Sequence, residues 1–217
     1  MKLRWEWAVG GLGAALFAAG CTLGILWAPR EQFMGDVQRI MYVHVPTAWN
    51  TLLVFTSTFV AAVQWLRTRN WKWDYLIEAS IETGVVLGAL LAVQGSIWAK
   101  PTWGVWWTWD PRLTSVAVMV LSFLGIAALR SFVDDPEKRA TWSATASVLA
   151  WVNVPFVYLC VKWMRSLHQV QSTPSTVDPD MVIVLRTNAF AVLFLAIFWV
   201  ASRWRIARRR RALELAP

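Results

Sequence analysis

The side chains best suited to chemistry in this sequence are two histidines and a cluster of tryptophans. His44 and His168 are the only histidines among 217 residues. Between them lies the stretch GSIWAKPTWGVWWTWDPRLTS, residues 95–115, in which one carboxylate, Asp110, accompanies five indoles: Trp98, Trp103, Trp106, Trp107 and Trp109. A neutral imidazole is the commonest side-chain metal ligand, and an indole offers a large flat face. These residue types indicate recognition of a metal or a flat apolar molecule, if the fold brings them together.

The composition indicates which solvent the fold must suit. Hydrophobic residues make up 57% and charged residues 16% of the chain, and the mean hydropathy is +0.45, which is outside the range of ordinary soluble domains. A helix needs about 20 apolar residues to cross about 30 Å of hydrocarbon. Six runs meet this requirement, at about residues 8–28, 46–66, 76–98, 113–132, 141–162 and 181–202. We predict an all-α polytopic integral membrane protein whose single domain, residues 1–217, is a bundle of six transmembrane helices.

Lysine and arginine are unevenly distributed over the connections between these spans. They are concentrated in four segments: the N-terminal residues, 67–72, 130–139 and the tail at 203–211. Positive residues stay on the cytoplasmic side of a membrane, so both termini are predicted to be cytoplasmic. His44, the Trp-rich outer loop at 98–112 and His168 then share the extracytoplasmic side.

The net charge of +8 follows largely from this asymmetry. The tail RWRIARRRR is predicted to hold the last helix against anionic headgroups, so membrane lipid is an expected partner and nucleic acid is not. Cys21 and Cys160 fall within spans without a C-x-x-C spacing, which favours a packing role over redox or metal chemistry.

Two histidines on one side of a bundle favour a specific kind of metal site. One imidazole nitrogen on each face of a flat ring leaves iron six-coordinate, and a haem held between His44 and His168 fits this arrangement. Either histidine alone would more simply be an interfacial side chain, but the presence of both on one side favours ligation. The sequence has no C-x-x-C-H attachment motif, so we predict a non-covalent, transferable haem b.

The Trp-rich loop has two explanations. Tryptophan is enriched at bilayer interfaces, and this accounts for the scattered tryptophans elsewhere in the chain. It accounts poorly for five in one short loop, which we interpret as a platform for a porphyrin edge. Asp110 followed by Pro111 is a good N-cap and first-turn pair for the fourth span, and that role is compatible with a place in the site.

Basic residues on the same side could pair with the carboxylates of a haem, because planar guanidinium groups bind carboxylates bidentately. The candidates are Lys100, Arg112, Arg165 and Arg186. Arg186 lies about two turns inside a span, where an arginine calls for a functional explanation. Snorkelling of its side chain to the interface is the alternative.

Three blocks of this sequence resemble one family. The Trp-rich stretch, MYVHVPTAW at 41–49 and NVPFVYLCVKWMRSLHQ at 153–169 are similar, in the same order, to signatures of the cytochrome c maturation protein C (CcmC-type) family of system I, tryptophan-rich (WWD) membrane proteins that handle haem. The resemblance implies that His44 and His168 are the axial ligands of haem iron. It also implies a surface for haem and chaperone formed by Trp103, Trp106, Trp107, Trp109 and Asp110.

The resemblance also implies a setting and partners. The expected location is the bacterial cytoplasmic (inner) membrane, with the site facing the periplasm. The expected partners are a periplasmic haem chaperone, an ATP-binding-cassette pair and a very small single-span membrane protein. The function predicted on this basis is binding of haem and its delivery to the chaperone for cytochrome c maturation.

Other functions remain open from the residues alone. No G-x-S-x-G elbow and no Gly-Lys dipeptide for a P-loop occur, so we expect neither an enzyme nor an ATPase. A permease subunit of an ABC-type haem exporter is one alternative, because Glu78 and Glu82 lie one turn apart inside a span. Pairing of Glu78 with Arg67 or Arg69 is the structural explanation for that carboxylate. A quinone-linked b-type cytochrome is a third hypothesis, although its haem would have to stay bound.

Overall fold

The computed structural model describes residues 4–168, 177–214 and 216. Within these ranges the secondary structure is helical, apart from one isolated bridge between Glu31 and Gly35. The helices are α1 (Trp5–Leu26), α2 (Met41–Thr68), α3 (Trp71–Trp103), α4 (Pro111–Phe132), α5 (Pro136–Trp151), α6 (Asn153–Trp163) and α7 (Pro179–Glu214), with a 3-10 turn at Asp36–Ile40. Six segments are long and apolar enough to cross a membrane, with α5 and α6 together forming one of them. The prediction of an all-α bundle of six membrane-spanning helices is confirmed.

Helix α2 begins earlier than the apolar pattern predicts. The 3-10 turn at Asp36–Ile40 leads directly into α2 at Met41, so His44 lies in the first turn of a helix and not in a loop. Pro46 is consequently the sixth residue of α2 instead of its first. The helix therefore fixes the backbone on which His44 is carried.

Helix α3 ends later than predicted. It continues through Pro101 to Trp103, and only residues 104–110 connect it to α4. Gly104 ends the helix in the left-handed region, at φ 79°, where a residue without Cβ is favoured. Part of the Trp-rich stretch is thus helical.

Two aspartates begin membrane-spanning helices in the same way. Asp110 accepts a hydrogen bond from the Arg112 N–H at 2.9 Å, and Asp135 accepts one from the Lys138 N–H at 2.8 Å. Each is followed by a proline at the first helical position, where the missing N–H has no intrahelical partner to lose. The Asp-Pro pair therefore sets where α4 and α5 start.

Glycines determine how closely the helices approach one another. A Cβ at Gly84 would collide with the ring of Phe55 in α2, and a Cβ at Gly20 would collide with Asn188 in α7. Phe55 itself stacks on Phe123 of α4 with ring centroids 3.9 Å apart. Small residues thus let α3 pack against α2, and α1 against α7.

A network of ion pairs joins helices at one end of the bundle. We call this the basic end, and it includes the start of α1, the end of α7, residues 67–72 and residues 130–139. Arg130 donates to Asp74 at 2.8 Å and to Glu78 at 2.7 Å. Arg211 donates to the other oxygen of Asp74 at 2.7 Å, and Arg210 pairs with Glu78. Buried charges are stable only when they are paired in this way, so the network joins α3, α4 and α7.

Two further carboxylates in the helices pair at the same end. Glu82 binds Arg203 through two hydrogen bonds, one of them 2.8 Å long. Glu6, whose side chain is fully buried, pairs with Arg4 and Arg205. Helix α7 therefore reaches both α1 and α3 through its arginines.

The expected pairing of Glu78 with Arg67 or Arg69 is wrong. Its partners are Arg130 and Arg210, which come from α4 and α7. The spacing along α3 showed that a carboxylate needed a cation. It could not show which of several distant arginines the packing would supply.

We expect Arg130→Ala to lower the free energy of unfolding by about 3–5 kcal/mol, because Asp74 and Glu78 would stay buried with a cation missing. Arg67→Ala is the matched control, since Arg67 is exposed and has no ion pair among the described residues. The measurement is denaturant unfolding of the purified protein in detergent micelles. Equal stabilities of the two variants would contradict the importance of the network.

Candidate functional site

We call the opposite end of the bundle, which includes residues 104–110 and 163–168, the Trp end. Among the described residues of this end, Asp110 has the side chain with the most hydrogen bonds. Its side chain is only 2% exposed. One oxygen accepts from the Arg112 N–H at 2.9 Å, from the Ser166 hydroxyl at 3.1 Å and faces His168 Nδ1 at 3.2 Å, and the other accepts from the Leu167 N–H at 2.7 Å. This carboxylate joins the start of α4 to the loop that carries His168.

The contact between Asp110 and His168 fixes the state of both groups. Burial raises the pKa of the Asp110 carboxyl, but its hydrogen bonds outweigh burial and hold that pKa below its usual value. Burial and the nearby Arg112 lower the pKa of His168, against the pull of Asp110. At neutral pH the pair is thus a carboxylate and a neutral imidazole. Since a carboxylate can only accept, Nδ1 carries the proton and Nε2 has a free lone pair.

The tryptophans of the Trp-rich stretch divide into two sets. Trp103, at the end of α3, meets the His168 ring edge-on with centroids 5.0 Å apart, and Trp98 packs on Trp103 at 4.9 Å. Trp106 and Trp109 are 58% and 82% exposed. One set therefore lies beside the histidine, and the other is free to meet a molecule outside the bundle.

Trp107 and Lys100 shape the exposed part of the connection. Trp107 is half-buried and packs edge-to-face against Trp109 with centroids 6.1 Å apart. The Lys100 ammonium donates to the Gly104 carbonyl at 3.0 Å and lies 6.0 Å from the centre of the Trp106 ring. Lys100 thus closes the end of α3 and supports the loop, instead of standing free for an anion.

His44 reaches the same region from α2. A Cβ on Gly95 of α3 would lie 3.2 Å from the His44 ring, so the glycine leaves just enough room for it. The Nδ1 atom of His44 is buried and has no hydrogen-bond partner in the described residues. His44 also lies within electrostatic range of His168 and Arg112. The structure therefore brings both histidines to one end of the bundle.

The basic candidates differ in position. Arg112 is half-buried beside the two histidines, and its guanidinium has no ion pair among the described residues. Arg165 and Arg186 are exposed, and no described contact joins Arg186 to the histidines or the tryptophans. Arg112 is thus the cation that the fold places at the site. Gln169, the last residue of the third sequence block, lies outside the described residues.

Sequence reasoning missed several residues that shape this end. Ser166 binds both the Asp110 carboxylate and the backbone N–H of His168, and Gly95 makes room for His44. The signal for Ser166 was its position two residues before a histidine, a spacing at which a hydroxyl can accept from the following backbone. Nothing local marked Gly95, because its role depends on another helix.

Polar atoms without partners add to the chemistry of the Trp end. Buried atoms without a partner among the described residues include His44 Nδ1 on α2, Gln94 Oε1 and Trp98 Nε1 on α3, and Thr114 Oγ1 at the start of α4. Buried polar atoms are normally satisfied, so this end has hydrogen-bonding capacity that the described residues do not use. The imidazoles of His44 and His168 can ligate a metal when they are neutral. The packed indoles of Trp98 and Trp103 can contact a flat ring.

Comparison with known proteins identifies the family of the chain. Residues 1–216 match the family model described as heme exporter protein C. The chain belongs to this family. With six membrane-spanning helices in the described residues, it is a multi-pass membrane protein.

Individual members of the family are similar along most of their length. The heme exporter protein C of Bradyrhizobium diazoefficiens is 34% identical over 195 residues, 87% of this chain and 74% of that protein. Its counterpart in Paracoccus denitrificans is 31% identical over 221 residues, 97% of this chain and 89% of that protein. The Escherichia coli K12 protein is 32% identical over 189 residues, 85% and 77% respectively.

We expect Gly95→Leu to displace the His44 ring, because even a Cβ at this position would be in tight contact with it. The two imidazoles can be followed separately by NMR of protein labelled with ¹⁵N-histidine, since the chain has only two. The His44 signals should shift and those of His168 should not. Gly125→Leu is the control, because nothing lies within 4 Å of a Cβ there. An unchanged His44 signal would show that α2 and α3 are further apart than described.

Proposed function

We propose that this protein binds haem at the Trp end, with His44 and His168 as axial ligands, and passes it to a periplasmic haem chaperone for cytochrome c maturation. The observation that carries the proposal is the state of His168. Its Nδ1 is engaged by Asp110, its Nε2 has no hydrogen bond to the described residues, and Trp103 lies against its ring. The relatives are named heme exporter proteins, which supports haem as the substrate.

The residues at this end suit a haem in composition and charge. His168 is neutral at physiological pH, as iron ligation requires. Trp98 and Trp103 provide aromatic surface for a porphyrin, and the guanidinium of Arg112 can pair with a propionate. A haem held by imidazoles, aromatic contacts and an arginine, without a covalent bond to the chain, is haem b in type, and it can leave again.

The exposed indoles support delivery over permanent retention. Trp109 and Trp106 project from the connection between α3 and α4 at the same end as the histidines. Large exposed aromatic side chains near a site are typical of interaction surfaces. We therefore assign them to contact with the haem chaperone, which would take the haem from the outer margin of the membrane.

The proposed setting follows from charge and family. Arginines are concentrated at the basic end, and because positive residues stay on the cytoplasmic side this supports a cytoplasmic basic end and a periplasmic Trp end. The membrane is then the bacterial inner membrane. An ATP-binding-cassette pair and a very small single-span protein are the proposed membrane partners, and hydrolysis of ATP is assigned to the former.

A permease subunit remains the alternative, because the word exporter in the relatives' names describes movement of haem. The two carboxylates that motivated it are engaged elsewhere. Glu78 pairs with Arg130 and Arg210, and Glu82 pairs with Arg203. Because both carboxylates are held in ion pairs, a structural role for them is favoured over a place in a transport pathway.

The first prediction of the proposed function concerns the axial ligands. Purified native protein supplied with haem should show the spectrum of six-coordinate iron. His44→Ala and His168→Ala should each convert this spectrum to that of a five-coordinate form. Each substitution should also weaken haem binding by about tenfold or more, a loss of about 1.4 kcal/mol. The measurement is an absorption titration in the oxidised and reduced states. Haem bound equally by the native chain and both variants would overturn the proposal and favour the permease.

The second prediction separates binding from delivery. Trp109→Ala should leave the haem spectrum unchanged and slow transfer of haem to the purified periplasmic chaperone, because Trp109 is exposed and does not touch either histidine ring in the structure. Trp163→Ala is the matched control, an exposed tryptophan of the same end outside the loop. Equal transfer rates for the two variants would contradict a docking role for the loop.

A further inference from the structure

The two aspartates that cap α4 and α5 differ in the number of hydrogen bonds that they accept. Asp135 begins α5 and accepts the Lys138 N–H. Asp110 begins α4 in the same way, but it also accepts from Ser166 and Leu167 and contacts the His168 ring. Capping explains one of these bonds. The remaining contacts all lead to the loop that carries His168.

We propose that Asp110 is a positioning residue for His168, which sets the tautomer and orientation of the imidazole so that Nε2 is presented to haem iron. This inference rests on the proposed function for its ligand, and on the observed hydrogen bonds for its mechanism.

The tautomer follows from the chemistry of the acceptor. A carboxylate has no proton to donate, so the 3.2 Å contact requires the proton on His168 Nδ1. The lone pair of the neutral ring then lies on Nε2, the nitrogen that is left for a metal. With the opposite tautomer, Nε2 would carry a proton and could not ligate iron.

The orientation of the imidazole follows from contacts of both its ring and its backbone. Trp103 packs against it edge-on, and the backbone N–H of His168 donates to Ser166 at 3.0 Å. Ser166 in turn binds Asp110. The ring of His168 contacts the buried Asp110 carboxylate directly, and its backbone is linked to the same carboxylate through Ser166. Hydrogen-bond partners that are not themselves ligands hold the histidine ligands of metal sites in this way.

The carboxylate should also affect the electronic properties of the ligand. A negative acceptor on Nδ1–H raises the basicity of the imidazole and strengthens its bond to oxidised iron. His44 has no such partner, since its Nδ1 is unpaired in the described residues. The two proposed ligands are therefore not equivalent.

The test is Asp110→Asn, with Asp135→Asn as the matched control. Asparagine caps helices about as well as aspartate, so both variants keep their caps. An amide can donate its N–H to His168 Nδ1, which would move the ring proton to Nε2, as in a catalytic triad whose aspartate becomes asparagine. Only the Asp110 substitution should change the histidine.

The first readout needs no haem. In ¹⁵N-histidine-labelled native protein and in Asp135→Asn, His168 should carry its proton on Nδ1, and in Asp110→Asn it should carry it on Nε2. The second readout is haem binding. Asp110→Asn should bind haem roughly 10–100-fold more weakly, and any haem still bound should have a raised reduction potential, whereas Asp135→Asn should match the native chain.

A second variant guards against a loss of fold. Asp110→Ser keeps a strong N-cap but removes the negative acceptor, and it should lose the Nδ1–H tautomer and weaken haem binding in the same direction. The inference is overturned if His168 keeps its Nδ1 proton in these variants, or if their haem spectra and potentials match those of Asp135→Asn. A tautomer change with haem binding independent of both histidines would support the positioning and refute the proposed function, so the two failures are distinguishable.

Discussion

The Trp end depends on one buried carboxylate. Asp110 ends the connection from α3, starts α4 and holds the loop after α6, so two separate stretches of chain meet at its two oxygens. Without it, the helix start and the loop would have no common reference. The position of the His168 ring follows from this junction, because Asp110 binds the ring and the two residues before it.

The polar side chains at the two ends of the bundle differ in how they are paired. At the basic end, arginines and carboxylates neutralise one another, and α1, α3, α4 and α7 are joined. At the Trp end, His44 Nδ1 and Trp98 Nε1 are left without partners among the described residues. The ion pairs of the basic end stabilise the bundle, whereas the unpaired groups of the Trp end are an imidazole and an indole.

Much of the fold was predictable because its signals are local. Apolar runs of sufficient length gave the six spans, and the Asp110-Pro111 pair correctly marked the start of α4. The extension of α3 to Trp103 was not predictable, because Pro101 usually signals an ending. For the site, residue types singled out both histidines. Their surroundings depend on packing, since Asp110 and His168 are 58 residues apart, and their roles toward haem remain predictions.

The partners of Arg130 show the same limit. Asp74 and Glu78 lie 56 and 52 residues before it, and no periodicity within one helix connects them. A local pattern could indicate that a buried carboxylate needed a cation. The crossing of α3 and α4 decided which cation it received.

The ion pairs of α7 have a consequence for how the chain is assembled in the cell. Their acidic partners lie in α1 and α3, which leave the ribosome long before the last helix. Until α7 is inserted, Glu6 and Glu82 lack the arginine partners that this helix provides. Insertion of α7 thus completes the charge pairing of α1 and α3 at the basic end.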